Sequence, residues 1–211
     1  MGIFAFNYTY LYDLYIHIRA FTKEEMNMQS QSKGRNVKLM ALILTSLMIA
    51  FTFVIGSFIR VPTLNGMAQP ADCIVLLSAV LLGKKKGFLV GAFGMGLIDL
   101  ASGYAYWAPF SFVIQGLMGL GAAAVLDAFD KRNFKIYLLS FIVGGAISAI
   151  GYFIANAIVG RLIVGATTSF WASILYAAAH FPGDISEIIL GIIIALPLSP
   201  VVNRLKHQFL D

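Results

Sequence analysis

Charged residues are scarce in this chain. Only 12% of its 211 residues are Asp, Glu, Lys or Arg, and 59% are hydrophobic; soluble domains carry about 25% charged residues. With a mean hydropathy of +0.84, the shortage excludes a soluble core and points to an integral membrane protein. Cysteine is nearly absent as well. Cys73 stands alone, so no intrachain disulfide and no cysteine-based metal cluster can form. Catalytic signatures are missing: there is no Gly-x-Ser-x-Gly, no His-Glu-x-x-His and no Walker A sequence. The chain is therefore not expected to be an enzyme, and it cannot hydrolyse ATP alone. No metal and no cofactor are expected. The net charge of +5 calls for no nucleic acid, because basic loops on a membrane protein record its orientation.

What the chain has in abundance is apolar runs. Each spanning helix needs about 20 residues. The runs fall at Val37–Ile59, Ala71–Leu82, Gly87–Ala101, Phe110–Leu126, Phe134–Val159 and Ser173–Leu198. The second and third are short for a bilayer by themselves. Charge separates them in alternation. Lys33, Arg35 and Lys38 precede the first run, Lys84–Lys86 separate the second from the third, Lys131, Arg132 and Lys135 follow the fourth, and Arg204 and Lys206 follow the sixth. The other connections hold only Arg60 and Arg161. This odd–even pattern predicts an all-α protein of six transmembrane helices with both termini in the cytoplasm. Residues 1–35 read as a separate N-terminal leader, aromatic and then polar, which is either interfacial or the product of a start upstream of a true Met26 or Met28. Residues 36–211 form the membrane domain.

Small residues mark two faces. Gly87 and Gly91 in the third run, and Ala41 and Thr45 in the first, follow a small-xxx-small spacing that lets backbones approach closely. Packing inside this chain and docking of a partner membrane subunit are both open readings.

The polar residues within the runs collect at one depth. Asp72 opens the second run and Asp99 closes the third, while Gln115 and Asn156 sit in the outer parts of the fourth and fifth. His180, Asp184 and Glu187 are spaced by four and three residues, which puts them on one helical face. Pro182-Gly183 is expected to interrupt that helix. A carboxylate at the centre of an isolated spanning helix costs about 2.5–3.5 kcal/mol, and such groups usually face a cavity or the bundle interior. The economical reading is a single pocket opening outward. Tyr104, Tyr106 and Trp107, beside Pro109, serve either as an aromatic belt at the boundary or as a surface stacking on a flat ligand. The turn-rich stretch from Arg60 to Pro70 is a candidate lid. Arg60 itself either pairs with Asp72 or Asp99 or meets an anionic ligand. His180, Asp184 and Glu187 also have a spacing compatible with a metal site.

Three blocks carry a family resemblance. They are Ile59-Arg60-Val61-Pro62, Asp72 through Gly83, and Asp99-Leu100-Ala101-Ser102-Gly103-Tyr104 through Ala108-Pro109-Phe110. Together, over about residues 37–205, the chain resembles the substrate-binding S components of energy-coupling-factor vitamin transporters. It is most similar to the branch assigned to hydroxymethylpyrimidine, pyridoxine or pantothenate. The resemblance implies a six-helix protein of a bacterial cell membrane that captures a vitamin from outside. It implies as partners a transmembrane T component and two ATPase subunits. The family's Ala-x-x-x-Ala pair on the first helix is here Ala41 and Thr45, and the amide that many relatives carry at the start of the sixth helix is replaced by Gly183-Asp184-Ile185-Ser186-Glu187. On this reading Arg60, Asp72, Asp99, Gln115, Asn156, His180, Asp184 and Glu187 supply polar contacts, and Tyr104, Tyr106 and Trp107 the apolar or stacking surface. Three rival readings stand beside it. One is a stand-alone proton-coupled transporter using Asp99 or Glu187. Another is a membrane-embedded metal-dependent hydrolase built on His180 and Glu187. The last is a structural subunit whose polar cluster serves assembly.

Overall fold

The computed structural model describes residues 36–59, 61–63, 66–130, 132–162 and 169–210, together with Arg19 and Gly165. The leader expected over residues 1–35, apart from Arg19, and the candidate Arg60 lie outside the described residues. The chain divides into two compact units, Met1–Met40 and Ala41–Asp211. Of the first, the described part beyond Arg19 is the opening of one helix. The second unit holds everything that follows.

Helix α1 covers Asn36–Phe58. Strands β1 (Val61–Thr63) and β2 (Gly66–Ala68) come next, then helices α2 (Ala71–Ala101), α3 (Ala108–Asp127), α4 (Phe134–Leu162) and α5 (Phe170–Phe209). By length and composition α1, α3, α4 and α5 can each cross a membrane. The strands pair antiparallel, Val61 opposite Ala68 and Thr63 opposite Gly66, a small β-hairpin beside helices among the described residues.

Helix α2 explains how two short apolar runs fit. At Gly83 the backbone leaves helical geometry, with φ +75° and ψ −171°, a left-handed φ that glycine adopts without the Cβ penalty. A Cβ built at Gly87 would meet Ala79, and one at Gly91 would meet Val75. Residues four and eight positions after the break thus pack on residues four and eight positions before it. α2 is a helical hairpin with two antiparallel arms. Every residue from Ala71 to Leu81 is buried. A helix that is apolar all round suits enclosure by protein on every side, which is why the first arm can be short.

Consecutive helical segments alternate in direction, each arm of α2 counting as one. α1 runs parallel to the second arm of α2, with Thr52 against Gly94 and Gly56 against Ile98. α3 runs antiparallel to that arm, pairing Gly119 with Gly87 and the Gln115 carbonyl with Gly91. α4 returns along α3, with Gly144 on Met118 and Ala122 and Gly151 on Ile114. α5 returns along α4, with Ile188 at Gly145 and Tyr176 at Gly160. The β-hairpin and the turn after α2 therefore lie at one end of the bundle. Lys84–Lys86 and the α3–α4 connection lie at the other. Large apolar side chains on the perimeter are exposed, Leu42, Leu47, Phe51 and Val54 along α1 among them, as lipid contact requires.

Two expectations from the sequence are corrected here. The four residues read as a docking face are not at the surface. Gly87 and Gly91 are closed in by Ala79, Val75 and the α3 backbone, and Ala41 and Thr45 are 2% and 5% exposed, with the Thr45 hydroxyl donating to the Ala41 carbonyl at 2.6 Å. Nor is α5 interrupted at Pro182: it continues through Pro182, Pro197 and Pro200, with the Ser186 hydroxyl donating to the Gly183 carbonyl just past the first.

The end of the first α2 arm is held by Arg132. Its guanidinium donates to the Val80 carbonyl at 3.2 Å and to Asn203 Oδ1 at 3.1 Å, and it lies 3.6 Å from Asp127. One cation thereby ties α2, α3 and α5 together and satisfies a carbonyl that the break at Gly83 would leave open.

Candidate functional site

A cavity of about 420 Å³ opens at the β-hairpin end, walled by both arms of α2 and by α3, α4 and α5. Asp72 enters it from the first turn of the inner arm and is 1% exposed. Asp99, Ile98 and Met95 come from the second arm, and Tyr104 and Trp107 from the turn that follows. Ser111 and Gln115 lie one helical turn apart on α3. Ser148, Tyr152 and Asn156 repeat that spacing on α4, and His180, Asp184, Glu187 and Ile188 occupy one face of α5. Gln69 reaches in from the residue after β2.

A directional hydrogen-bond chain organises the wall. Gln115 Nε2 donates to Asp72 Oδ1 at 3.0 Å and lies 3.5 Å from the Tyr152 hydroxyl oxygen. Tyr152 in turn donates to Ser111 Oγ at 3.1 Å, and the Ser111 hydroxyl interacts with the Asp99 carboxyl. On the opposite wall Asn156 Nδ2 donates to Asp184 Oδ2 at 3.1 Å, and the Gln69 backbone amide bonds the Glu187 carboxylate. His180 Nδ1 donates to the Tyr176 carbonyl at 2.9 Å, which fixes the proton on that nitrogen.

Unpaired polar atoms remain in the wall, most of them acceptors. Among the described residues, the buried side-chain polar atoms without a partner are Ser57 Oγ, Gln69 Oε1, Asp99 Oδ2, Gln115 Oε1 and Ser148 Oγ. All but Ser57 belong to residues of the cavity wall, and three of those four are acceptors only. Buried polar groups left unpaired cost about 1–3 kcal/mol each, so the wall is built for a polar occupant. Four carboxyls, of Asp72, Asp99, Asp184 and Glu187, surround the space, and the described lining holds no Lys or Arg. His180 is the one cation-capable neighbour in that lining. Among the described residues no three His, Cys, Asp or Glu side chains are grouped to hold a metal ion, so the metal-site reading of the α5 face has no support in the geometry.

Nine of the expected site residues meet in this cavity: Asp72, Asp99, Tyr104, Trp107, Gln115, Asn156, His180, Asp184 and Glu187. Tyr106 does not. It is 39% exposed and packs outside, its ring 6.4 Å from Tyr104 and 6.3 Å from Trp107. Sequence reasoning missed Gln69, Ser111, Ser148 and Tyr152. The i, i+4 spacing back from Gln115 to Ser111, and from Asn156 to Tyr152 and Ser148, was the available signal. The Trp107 and Tyr152 rings meet at 52° with centroids 6.3 Å apart, giving the cavity one aromatic side.

Comparison with known proteins adds a second line. A family model described as the S component of ECF-type riboflavin transporters matches residues 36–204. The chain is 31% identical over 174 residues to the thiamine precursor transporter HmpT of Lactococcus lactis subsp. cremoris (strain MG1363), covering 81% of this chain and 91% of that protein. It is also 30% identical over 152 residues to an uncharacterized protein in the gap 3' region of Pyrococcus woesei, covering 69% of this chain and 88% of that protein.

Proposed function

The chain belongs to the family of ECF-type riboflavin transporter S components, and from that premise we propose that its cavity captures an amine-bearing, single-ring aromatic precursor of the hydroxymethylpyrimidine type. It is a multi-pass membrane protein and the substrate-binding subunit of an energy-coupling-factor vitamin uptake system. Its family is one of transporter subunits, which work with a T component and an ATPase module.

One observation carries the choice of ligand. Gln69, Asp99 and Gln115, all residues of the cavity wall, each hold an enclosed acceptor oxygen without a partner, and an acceptor-rich wall selects a ligand that brings hydrogen-bond donors. An aminopyrimidine does so through its amino group and hydroxymethyl arm, and its flat ring suits the side formed by Trp107 and Tyr152. Pyridoxine offers hydroxyl donors and ranks second. Pantothenate brings a carboxylate toward four others and ranks last. The thiamine-precursor activity named for the Lactococcus lactis relative supports the same order. The contacts assigned are Asp72, Asp99, Gln115, Asn156, His180, Asp184 and Glu187, with Tyr104 and Trp107 as apolar wall.

The alternating helix directions support six membrane crossings with both termini cytoplasmic, the two arms of α2 counting separately. Residues 36–211 then form the membrane domain and residues 1–35 a leader. The cavity end lacks the lysines that crowd the opposite end, so it faces outward. The chain performs no chemistry on its ligand. Transport energy comes from two ATPase subunits acting through the T component.

Equilibrium binding of the purified chain to hydroxymethylpyrimidine, pyridoxine, pantothenate and riboflavin tests the reading. Hydroxymethylpyrimidine is expected to bind at least about tenfold more tightly than the others, a difference of about 1.4 kcal/mol. Tight binding of pantothenate or riboflavin with none of the pyrimidine would overturn it.

A further inference from the structure

We infer that the second arm of α2 and the start of α3 hold the acyl chain of a phospholipid in a groove separate from the ligand cavity, and that this chain braces the turn that walls the cavity.

The groove comes from a change of spacing between two helices. In their inner halves they touch through backbone. A Cβ at Gly91 would overlap the Gln115 carbonyl oxygen, and one at Gly119 would come within 2.5 Å of the Gly87 carbonyl oxygen. Further out that contact loosens. At Gly96 the atoms nearest to a built Cβ are the Ala108 carbonyl oxygen at 3.6 Å and the Phe112 side chain at 3.7 Å, which is ordinary van der Waals contact. The helices splay, and a hollow of about 370 Å³ opens between them. Its floor is made of small residues, Ala92, Gly96 and Ala108. No side chain lining it carries a nitrogen, oxygen or sulfur atom. Its rim residues Phe93, Leu97 and Leu100 are exposed, so the hollow opens onto the apolar perimeter.

Depth and direction select the occupant. By length and composition α3 can cross a membrane, and the groove lies along its first turns and the arm beside them. From Ala92 to Leu100 it follows the helix for about 12 Å. Walls that face no partner atoms would forfeit dispersion contacts. A water or polar group would find no hydrogen-bond partner among these side chains. A hydrocarbon chain descending beside the helices from the membrane boundary meets both conditions.

Groove and ligand cavity share one wall. On the last two turns of α2, Met95, Ile98 and Asp99 line the cavity, while Gly96, Leu97 and Leu100 line the groove. In the turn that follows, Tyr104 and Trp107 line the cavity and Ala105 lines the groove. Whatever fills the groove therefore packs against the same backbone that carries the ligand-facing side chains. A lipid chain there holds the wall in place before the ligand arrives, which lowers the ordering cost of binding.

The test counts phospholipid on the purified full chain by native mass spectrometry and measures hydroxymethylpyrimidine affinity in parallel; only the second readout rests on the pyrimidine reading above. Gly96→Leu and Ala105→Leu put a side chain into the groove from two different elements, so that one remains informative if the other fails to fold. Leu117→Ala alters an apolar side chain that is 42% exposed and lies outside the groove, a control for lipid held by the perimeter at large. The unmodified chain and Leu117→Ala are expected to keep one phospholipid through a detergent wash, with retention at least about fivefold higher than in either leucine variant. Stripping the lipid from the unmodified chain is expected to weaken pyrimidine binding at least about threefold, and added phospholipid to restore it. Gly96→Leu, whose leucine supplies the packing, is expected to bind alike with and without lipid. Equal retention by the unmodified chain and a folded leucine variant would overturn the site. So would an unmodified chain that holds no phospholipid, a result that gives the groove to a partner helix or to detergent. Pyrimidine affinity indifferent to lipid in the unmodified chain would overturn the bracing role. A chain that keeps its phospholipid but never binds the pyrimidine would instead overturn the pyrimidine reading and leave the lipid site standing.

Discussion

The closeness of α3 to the second arm of α2 can be tested with three glycines that differ only in the space around them. At Gly91 a Cβ would overlap the Gln115 carbonyl oxygen, with the Gln115 carbonyl carbon 2.7 Å away and Val75 Cγ1 at 3.0 Å. The first two are backbone atoms and cannot rotate aside, so Gly91→Ala must push α3 away from α2. At Gly87 the nearest atoms are Ala79 Cα and the Gly119 carbonyl oxygen, both 3.3 Å away, a crowding that a few tenths of an ångström relieves. At Gly183 nothing lies within 4 Å. Overpacking a close-packed interface costs about 1–3 kcal/mol, whereas replacing a mid-helix glycine by alanine in open space gains roughly 0.5–1 kcal/mol. The expected order of stability is therefore Gly183→Ala above the unmodified chain, Gly87→Ala slightly below it, and Gly91→Ala lowest. At about 2–4 °C per kcal/mol for a chain of this size, thermal melts in one detergent separate the extremes. Gly91→Ala carries a second expectation. The residue it displaces is Gln115, so ligand affinity is expected to fall along with stability, while Gly87→Ala leaves affinity nearly unchanged. If Gly91→Ala melted with Gly183→Ala and bound ligand like the unmodified chain, the packing argument would be wrong.

Gly83→Ala meets no atom within 4 Å but would put a side chain at φ +75°, so a loss of about 1–2 kcal/mol is expected in thermal melts, with no change in ligand preference. Arg132→Ala leaves the Val80 carbonyl and Asn203 without their donor and is expected to cost about 1–3 kcal/mol, whereas Lys84→Ala, which removes an exposed pair 3.5 Å from Asp127, is expected to stay within about 1 kcal/mol; parallel melts of the two decide. Trp107→Ala removes cavity wall and is expected to weaken binding at least about tenfold. Tyr106→Ala, outside the cavity, is expected to change affinity by less than about twofold in the same titration, and an equal loss in both would return Tyr106 to the site.

Much of the fold was legible because a bilayer leaves few choices. The run lengths and the odd–even lysines placed the helices that the structure describes, and the boundaries of Ala71–Leu82 and Gly87–Ala101 bracket the break at Gly83. The hairpin inside α2 was not legible as such. A left-handed glycine looks like any other glycine in a run with many, and only packing shows that Gly87 and Gly91 face inward. The β-hairpin was hidden for a related reason. Three-residue strands in a turn-rich stretch carry no period to read. The polar cluster was readable because membrane helices carry few polar residues, so each one among them is informative. Ser111, Ser148 and Tyr152 escaped notice because serine and tyrosine are common in spans without function. Tyr106 was misplaced because composition cannot tell the two sides of a turn apart.

The distribution of donors and acceptors ties stability to capture. A wall in which Gln69 Oε1, Asp99 Oδ2 and Gln115 Oε1 are buried without partners carries a penalty of about 1–3 kcal/mol for each. That penalty is sustained by the apolar packing of the inner α2 arm, where Val75, Leu76 and Val80 are completely enclosed. A ligand that brings matching donors removes the penalty when it binds. Its affinity therefore includes a contribution prepared in the protein, beyond the contacts themselves. The preparation is selective, since a ligand with acceptors at the same positions would leave the penalty in place and add its own desolvation. An uptake subunit that works at low ligand concentration needs both properties. Here they come from one arrangement: polar groups of the wall held by local partners, Gln115 by Asp72 and Asp99 by Ser111.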